Sequence, residues 1–248
     1  MEYGLQLYSV RDYKEDFDYC FSRLNEFKYK FVEFAGYGSY SAAELKALLE
    51  KWDMTVIGAH VDANDIVADF DNIVKFHKEL GNTNIVIPAY HVHNNEYLYK
   101  LVDIINEYQP KFEAEGMKLH FHNHENEFKP NNDGTVPFEV LKNETKVLFE
   151  VDTFWVFYAG LDPVEFLKEN RDRIELVHIK DGLLDRREGR PLGQGKAPVK
   201  DCVNAALELG LPLIVESEEM RPNGIMEAKV SYKFLRKMDE EKAEAQNA

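Results

Sequence analysis

Val177-His178-Ile179-Lys180-Asp181 decides the fold. It ends the apolar run Ile174-Glu175-Leu176-Val177 with a histidine, a lysine and an aspartate, and the chain then enters a glycine-rich loop. Three more apolar runs finish in possible metal ligands: Leu119-His120-Phe121-His122-Asn123-His124, Leu148-Phe149-Glu150-Val151-Asp152 and Leu213-Ile214-Val215-Glu216. One polar strand end carries little information. Four of them imply strands that converge on one site.

Outward from these runs, strands are predicted at 3–8, 30–34, 55–60, 84–88, 118–123, 147–152, 174–179 and 213–216. Ile85-Val86-Ile87 is apolar without alternation, as in a parallel strand buried on both faces. Helical spacing joins Phe17, Cys20, Phe21 and Leu24; Leu45, Leu48, Leu49 and Trp52; Ile66, Phe70, Ile73 and His77; and Leu98, Leu101, Val102, Ile105 and Tyr108. Ser41 and Glu44 form a capping box, and Asp162-Pro163-Val164-Glu165 reads as a helix start. Cys202, Ala206 and Leu209 lead to a stop at Gly210. A last helix begins near Asn223 or Gly224 and is expected to fade into the polar tail Glu240-Glu241-Lys242-Ala243-Glu244.

Alternating strands and helices predict a parallel sheet with helical crossovers. Eight such units in 248 residues favour an α/β fold closed as a single (β/α)₈ TIM barrel, one domain over 1–248. An open dinucleotide-binding sheet is disfavoured. No Gly-x-Gly-x-x-Gly follows the first strand, and Gly193-Gln194-Gly195 stands before the seventh helix.

A 44% hydrophobic share supports a core of that size and argues against disorder. The net charge of -15 argues against nucleic acid as a partner, because a phosphate backbone repels an acidic surface. An acidic site that gathers cations remains compatible. Cys20 and Cys202 lack paired spacing, which fits a reducing compartment. Met1-Glu2-Tyr3-Gly4-Leu5-Gln6 is unlike a signal peptide, and no apolar run approaches the ~20 residues of a membrane span. The expectation is a cytoplasmic protein with no membrane partner, compatible with a homo-oligomer.

Barrel active sites lie at the C-terminal ends of the strands. This rule selects His60, His122, His124, Asp152, His178, Asp181 and Glu216. Each alone has a plain structural reading, as a hydrogen-bonded packing histidine or a carboxylate capping the next helix. Together they favour a site, because crowded carboxylates and imidazoles without a cation repel one another or lose solvation. Such donors suit Mn²⁺, Zn²⁺, Co²⁺ or Mg²⁺. The strand period of two puts Glu150 with Asp152, and His120 with His122 and His124; Phe149, Val151, Phe121 and Asn123 face the other way. Lys180 shares the face of His178 and is placed to hold an anionic or enediolate oxygen, while Asp181 falls in the loop.

At this point the chain resembles the sugar isomerase/epimerase superfamily of xylose isomerase-like TIM barrels, which includes inosose dehydratases, ketose 3-epimerases and, more distantly, endonuclease IV. The resemblance runs over nearly the whole chain. It is carried by Gln6-Leu7-Tyr8-Ser9-Val10-Arg11, Val32-Glu33-Phe34-Ala35-Gly36, His122-Asn123-His124 with Glu127-Phe128, Glu150-Val151-Asp152-Thr153-Phe154-Trp155, His178-Ile179-Lys180-Asp181 and Val215-Glu216. It implies a metal held by a Glu on the fifth strand, an Asp on the sixth, a His on the seventh and a Glu on the eighth. By motif position these are His122, Asp152, His178 and Glu216, and His122 departs from the pattern. In the epimerases the two glutamates flank the substrate; one removes a proton beside a carbonyl and the other returns it on the opposite face. Only Glu216 of that pair survives here. His122 is then a ligand or, if unligated, a base, and Glu150 or Glu127 is the candidate for the missing carboxylate.

The resemblance further implies that Glu33 binds a sugar hydroxyl or orients a ligand histidine. His60, His124, Glu127 and Asp181 are counted among the substrate contacts, and Trp155 with Phe154 as an apolar face for a sugar. His91 and His93 are not expected as ligands. Arg186, Arg187, Arg190 and Lys196 cluster in the seventh loop, either to grip a phosphate or carboxylate or as solvated loop charge; the lack of a glycine-rich phosphate cradle favours the second.

The expected function is a divalent-metal-dependent isomerase or epimerase that moves a proton next to the carbonyl of a sugar or keto-sugar. Glu216, His122, Glu150 and Lys180 are its candidate catalytic groups. The runner-up is a lyase or dehydratase with the same metal site, which expels a β-hydroxyl or glycosyl group from a keto-sugar or keto-inositol. The fifth-strand histidine favours that outcome. A third reading is a non-catalytic sugar-binding barrel. An apurinic-site nuclease needs more ligands and a basic face that a charge of -15 does not supply.

Overall fold

The computed structural model describes residues 1–246. The strands in chain order are β1 (Gly4–Gln6), β2 (Phe31–Ala35), β3 (Thr55–His60), β4 (Asn84–Ile87), β5 (Lys118–His122), β6 (Leu148–Asp152), β7 (Ile174–Ile179), β8 (Asp181–Leu183), β9 (Glu188–Arg190) and β10 (Leu213–Val215). β1 to β7 and β10 close a parallel barrel, with β1 hydrogen-bonded to both β2 and β10. The remaining pair, β8 and β9, forms an antiparallel hairpin after β7. The helices are α1 (Phe17–Phe27), α2 (Ala42–Lys51), α3 (Ala63–Leu80), α4 (Asn95–Ala114), α5 (Pro137–Glu144), α6 (Thr153–Tyr158), α7 (Pro163–Glu169), α8 (Val199–Glu208) and α9 (Gly224–Gln246). Among the described residues, no helix is long and apolar enough to cross a membrane.

Strand alternation divides the interior in two. Val32, Phe34, Leu119, Phe121, Phe149, Val151, Val177 and Ile179 belong to the large core between sheet and helices. The alternate positions turn inward, where Val86, Leu176 and Ile214, with Phe31 and Ile57, make a separate apolar plug. Burying each such side chain is worth ~1.5–3 kcal/mol. The plug closes the floor; His120 is in register with Val86 at that level, and the other polar inward-facing residues described below lie toward the C-terminal ends of the strands. Register shifts occur at Val32/Glu33 and Phe149/Glu150, where two of those polar residues enter the barrel. Bulges commonly re-aim a side chain beside a site in this way.

The capping box of Ser41 and Glu44 is formed, and Asp162 accepts hydrogen bonds from the Val164 and Glu165 amides behind Pro163. Four features depart from the sequence reading. Helices α5 and α6 are additional, a 3₁₀ turn over Leu7–Tyr13 replaces the end of the first predicted strand, and the seventh loop contains the β8–β9 hairpin. The last helix does not fade at 240 but runs to Gln246. Lys200 pairs with Glu241 at 2.9 Å, and Arg236–Glu240 and Lys237–Glu241 lie at helical i,i+4 spacing.

Candidate metal centre

Four strands deliver one donor residue each to the barrel mouth. His122 ends β5, Asp152 ends β6, His178 lies in β7 and Glu216 follows β10. Cross-strand register sets Asp152 beside His178 and His178 beside Ile214. One ligand atom from each of His122, Asp152, His178 and Glu216 lies within 4.8 Å of all the others, and all four residues are buried. Asp152 Oδ1 accepts the Phe154 and Trp155 amides at 2.8 and 3.1 Å, so the carboxylate caps α6. Its Oδ2 has no hydrogen bond. Lys180 Nζ donates to Glu216 Oε2 at 3.3 Å and to Glu218, and lies 3.8 Å from Asp152 Oδ2.

A second polar layer sits beneath. Glu33 and Glu150 are fully buried. Gln6 Nε2 donates to Glu33 Oε2 at 2.8 Å, and His178 Nε2 is 2.6 Å from that oxygen. The other ring nitrogen of His178, Nδ1, is 3.4 Å from Glu216 Oε2. Glu150 Oε2 gathers His60 Nε2 at 2.8 Å, His122 Nδ1 at 3.1 Å and His178 Nε2 at 3.2 Å. Close approach is required on β3: a Cβ on Gly58 would lie 2.8 Å from Glu33 Oε1.

Burial and charge pull these groups in opposite directions. Burial raises the Glu33 carboxyl to about 7, helped by Glu150 and opposed by His60 and His178. Burial likewise raises Asp152 to about 7 against the pull of Lys180. For Glu150 and Glu216 burial is outweighed, by His178 and His122 in one case and by Lys180 and His178 in the other, and both carboxyls fall well below the usual range. Burial disfavours the His178 imidazolium, yet Glu150, Glu33 and Glu216 hold it well above the ordinary value. His122 goes the other way, to about 3, because burial dominates and its bond to Glu150 only partly compensates. Without a cation, therefore, protonated His178 and Lys180 balance the carboxylates while His122 stays neutral. A divalent cation fits this donor set of two carboxylates and two imidazoles, and Asp152 Oδ2 is a buried acceptor free to bind it.

Outside the donors a recess of about 250 Å³ opens, lined by His60, His122, His124, Arg187, Glu216 and Glu218 together with Tyr8. A larger recess, about 380 Å³, lies in the helical layer between α5 and α7. The sequence-selected residues separate cleanly against this geometry. His60 and His124 reach the recess. Five others do not. Glu33 is fully buried and holds His178, so of its two expected roles only the orienting one is available. Glu150 is fully buried against three imidazoles and does not line the recess, so it is not placed as the proton-transfer carboxylate that the sequence suggested. Glu127 is buried and accepts the His124 amide at 2.8 Å. Asp181 accepts the amides of Gly182, Gly193, Gly195 and Ala197, which saturates it as a loop organiser. Trp155 offers no open face for a sugar: it is 1% exposed, with Lys180 Nζ 4.6 Å and the Arg187 guanidinium 4.4 Å from its ring.

Of the seventh-loop cations, Arg187 stays exposed but is also paired. Its Nε and Nη2 donate to the two oxygens of Glu125 at 2.9 and 3.0 Å, joining the seventh loop to the fifth. Glu218 is the principal residue that sequence reasoning missed. It lies two residues beyond Glu216, lines the recess and holds Lys180. The repeated acidic residue after β10 was its only signal.

A sequence model for xylose isomerase-like TIM barrels matches residues 21–238. No curated protein sequence matches the chain. Among solved structures, a sugar phosphate isomerase/epimerase from Parabacteroides distasonis is 23% identical, covers 95% of this chain and 98% of its own, and superposes with a TM-score of 0.83. The probable 3-DHS dehydratase AsbF from Bacillus anthracis is 15% identical, with 95% and 99% coverage and a TM-score of 0.77. The IolI protein with a bound zinc atom is 17% identical, with 96% and 98% coverage and a TM-score of 0.73. These likenesses establish a shared barrel.

Proposed function

This chain belongs to the xylose isomerase-like TIM barrel family, and from that premise we propose that it is a divalent-cation-dependent sugar isomerase or epimerase that moves a proton next to a carbonyl. The observation that carries this reading is the convergence of His122, Asp152, His178 and Glu216 within 4.8 Å. A cation held there supplies Lewis acidity, polarising a carbonyl and its neighbouring hydroxyl. With histidine in place of a fifth-strand carboxylate, the donor set carries two negative charges rather than three, which leaves more of that acidity for the substrate. Glu33 fixes the His178 ring through Nε2, and Asp152 is fixed by the N-terminus of α6. Glu216, at the recess and kept ionised by Lys180, is the base that takes the proton. Lys180 stays charged, buried between Glu216 and Glu218, and acts through them rather than on the substrate. His60 and His124 meet the sugar hydroxyls.

The substrate we propose is neutral rather than phosphorylated. Arg187, the cation that lines the recess, is already paired with Glu125, and Lys180 beneath it with Glu216 and Glu218. We assign no nucleic-acid partner to the acidic chain and leave self-association compatible with it.

A second reading, elimination from a keto-sugar or keto-inositol, is favoured by one observation. The recess carboxylates Glu216 and Glu218 both follow β10, while the β5 position opposite is His122. Proton removal and return on one face suits a shift along the chain or loss of a β-substituent better than inversion. The experiment is incubation of metal-loaded protein with aldoses, ketoses and keto-sugars in D₂O, followed by NMR. Deuterium at the carbon beside the carbonyl is expected; a product lacking water or an aglycone selects the elimination, and absence of exchange across the panel refutes both.

A further inference from the structure

The layer beneath the proposed catalytic cation carries the makings of another site. We propose that His60, His122, Glu150 and His178 form a deeper cation site that shares two imidazoles with the upper one. One donor atom from each of these four lies within 4.8 Å of the rest. Three ring nitrogens converge on a single oxygen, Glu150 Oε2, at 2.8, 3.1 and 3.2 Å. Meanwhile Glu150 Oε1 and Glu33 Oε1, both on fully buried residues, make no hydrogen bond. Buried carboxylate oxygens left without donors cost stability. A cation among the rings satisfies them, drawing on imidazole lone pairs and placing positive charge beside both glutamates.

The chemistry of the two sets differs. Three imidazoles and one carboxylate make a nitrogen-rich set that suits Zn²⁺ and Co²⁺, whereas the upper set's two carboxylates also suit Mn²⁺ and Mg²⁺. Sharing follows from the ring orientations. His178 turns Nδ1 to Glu216 and Nε2 to Glu33 and Glu150, and His122 turns Nδ1 down to Glu150 while the residue also lines the recess. A neutral imidazole ligates through one nitrogen, so the two positions are alternatives for a single cation. The deeper site does not depend on the upper one being a catalytic centre.

The test is equilibrium dialysis against Co²⁺ and Zn²⁺, with metal counted by mass spectrometry and Co²⁺ followed by visible absorption. Asp152→Asn with Glu216→Gln removes the upper carboxylates. This variant is expected to retain about one Co²⁺ per chain with an altered spectrum, and adding His60→Ala and Glu150→Gln to weaken uptake roughly tenfold or more. Loss of all uptake in the first variant, with native circular dichroism, overturns the deeper site and leaves the upper reading standing. Uptake that survives all four substitutions overturns the deeper site as well. Affinity and spectrum unchanged by the first two substitutions would instead sink the upper site. Should the variants not fold, zinc X-ray absorption of the unaltered chain decides: with the cation shared between the two positions a mean shell above two imidazoles is expected, and a shell of two imidazoles alone refutes the proposal.

Discussion

Asp152 caps a helix, lies 3.8 Å from an ammonium and keeps one oxygen without a hydrogen bond. Its carboxyl is raised from 3.8 to about 7, so the fold favours the protonated form. The resulting penalty is absent below the unfolded value, grows as pH rises toward 7 and is complete above it. Asp152→Asn keeps the cap and removes the charge. The metal-free variant is expected to be more stable than the parent at pH 8, on the order of a few kcal/mol, and to match it near pH 4, as read from denaturant midpoints. A parent as stable as the variant at pH 8 contradicts the burial argument. Glu216→Gln is expected to slow deuterium exchange about 10²-fold or more without unfolding the chain; exchange at the parental rate would remove Glu216 as the base. At this scale the sequence made visible what strand ends make visible: His122, Asp152, His178 and Glu216. The Glu33–His178 contact bridges residues 145 apart in the chain. Glu218 owes its place to a turn after β10 that no periodicity encodes, and the burial of Glu127 and Trp155 was equally hidden.

The β8–β9 hairpin and the glycine-rich segment after it are organised by one carboxylate. Asp181 accepts four backbone amides, and a Cβ on Gly195 would stand 2.1 Å from its Oδ1 and 2.4 Å from the Gly182 nitrogen. Gly195→Ala therefore has to displace the carboxylate or the backbone. The expected cost is about 1–3 kcal/mol, with faster proteolysis in the 184–197 segment and weaker sugar binding through loss of Arg187. Unchanged melting and protease resistance would show that the loop does not depend on Asp181. The elements with strong periodicity or caps, such as α2 and α7, were readable from the chain. Helices α5 and α6 were not, being 8 and 6 residues long and too short for a clear apolar stripe. The run of α9 to Gln246 is accompanied by ion pairs such as Lys200–Glu241, a tertiary contact that the local sequence does not show.

For the molecule as a whole, barrel closure was legible because the strand-helix alternation repeats eight times, and the closed order confirms it. The two-layered polar interior was not legible, because it depends on which inward residues lie above the apolar plug. Its charge balance sets how cation binding varies with pH. His178 is held protonated by Glu150, Glu33 and Glu216, so a cation must displace that proton. Affinity is expected to tighten as pH rises from 6 to 8, with proton release seen by calorimetry in buffers of different ionisation enthalpy; a pH-independent affinity without release contradicts it. Cation at a hundredfold excess over its Kd is expected to stabilise the fold by about 2.7 kcal/mol, reversed by chelator and read as a shift in melting temperature. The position of Trp155 has a practical consequence. The chain has two tryptophans, and the other, Trp52, follows α2 and donates its Nε1–H to Asp18 on α1. Trp155 instead feels the ammonium of Lys180 at 4.6 Å, whose counter-charges are the carboxylates that a cation would claim. Indole emission shifts with the local electric field, so a Trp52→Phe chain would carry a single tryptophan, excited apart from the tyrosines, whose colour reports occupancy of the barrel mouth without any attached dye.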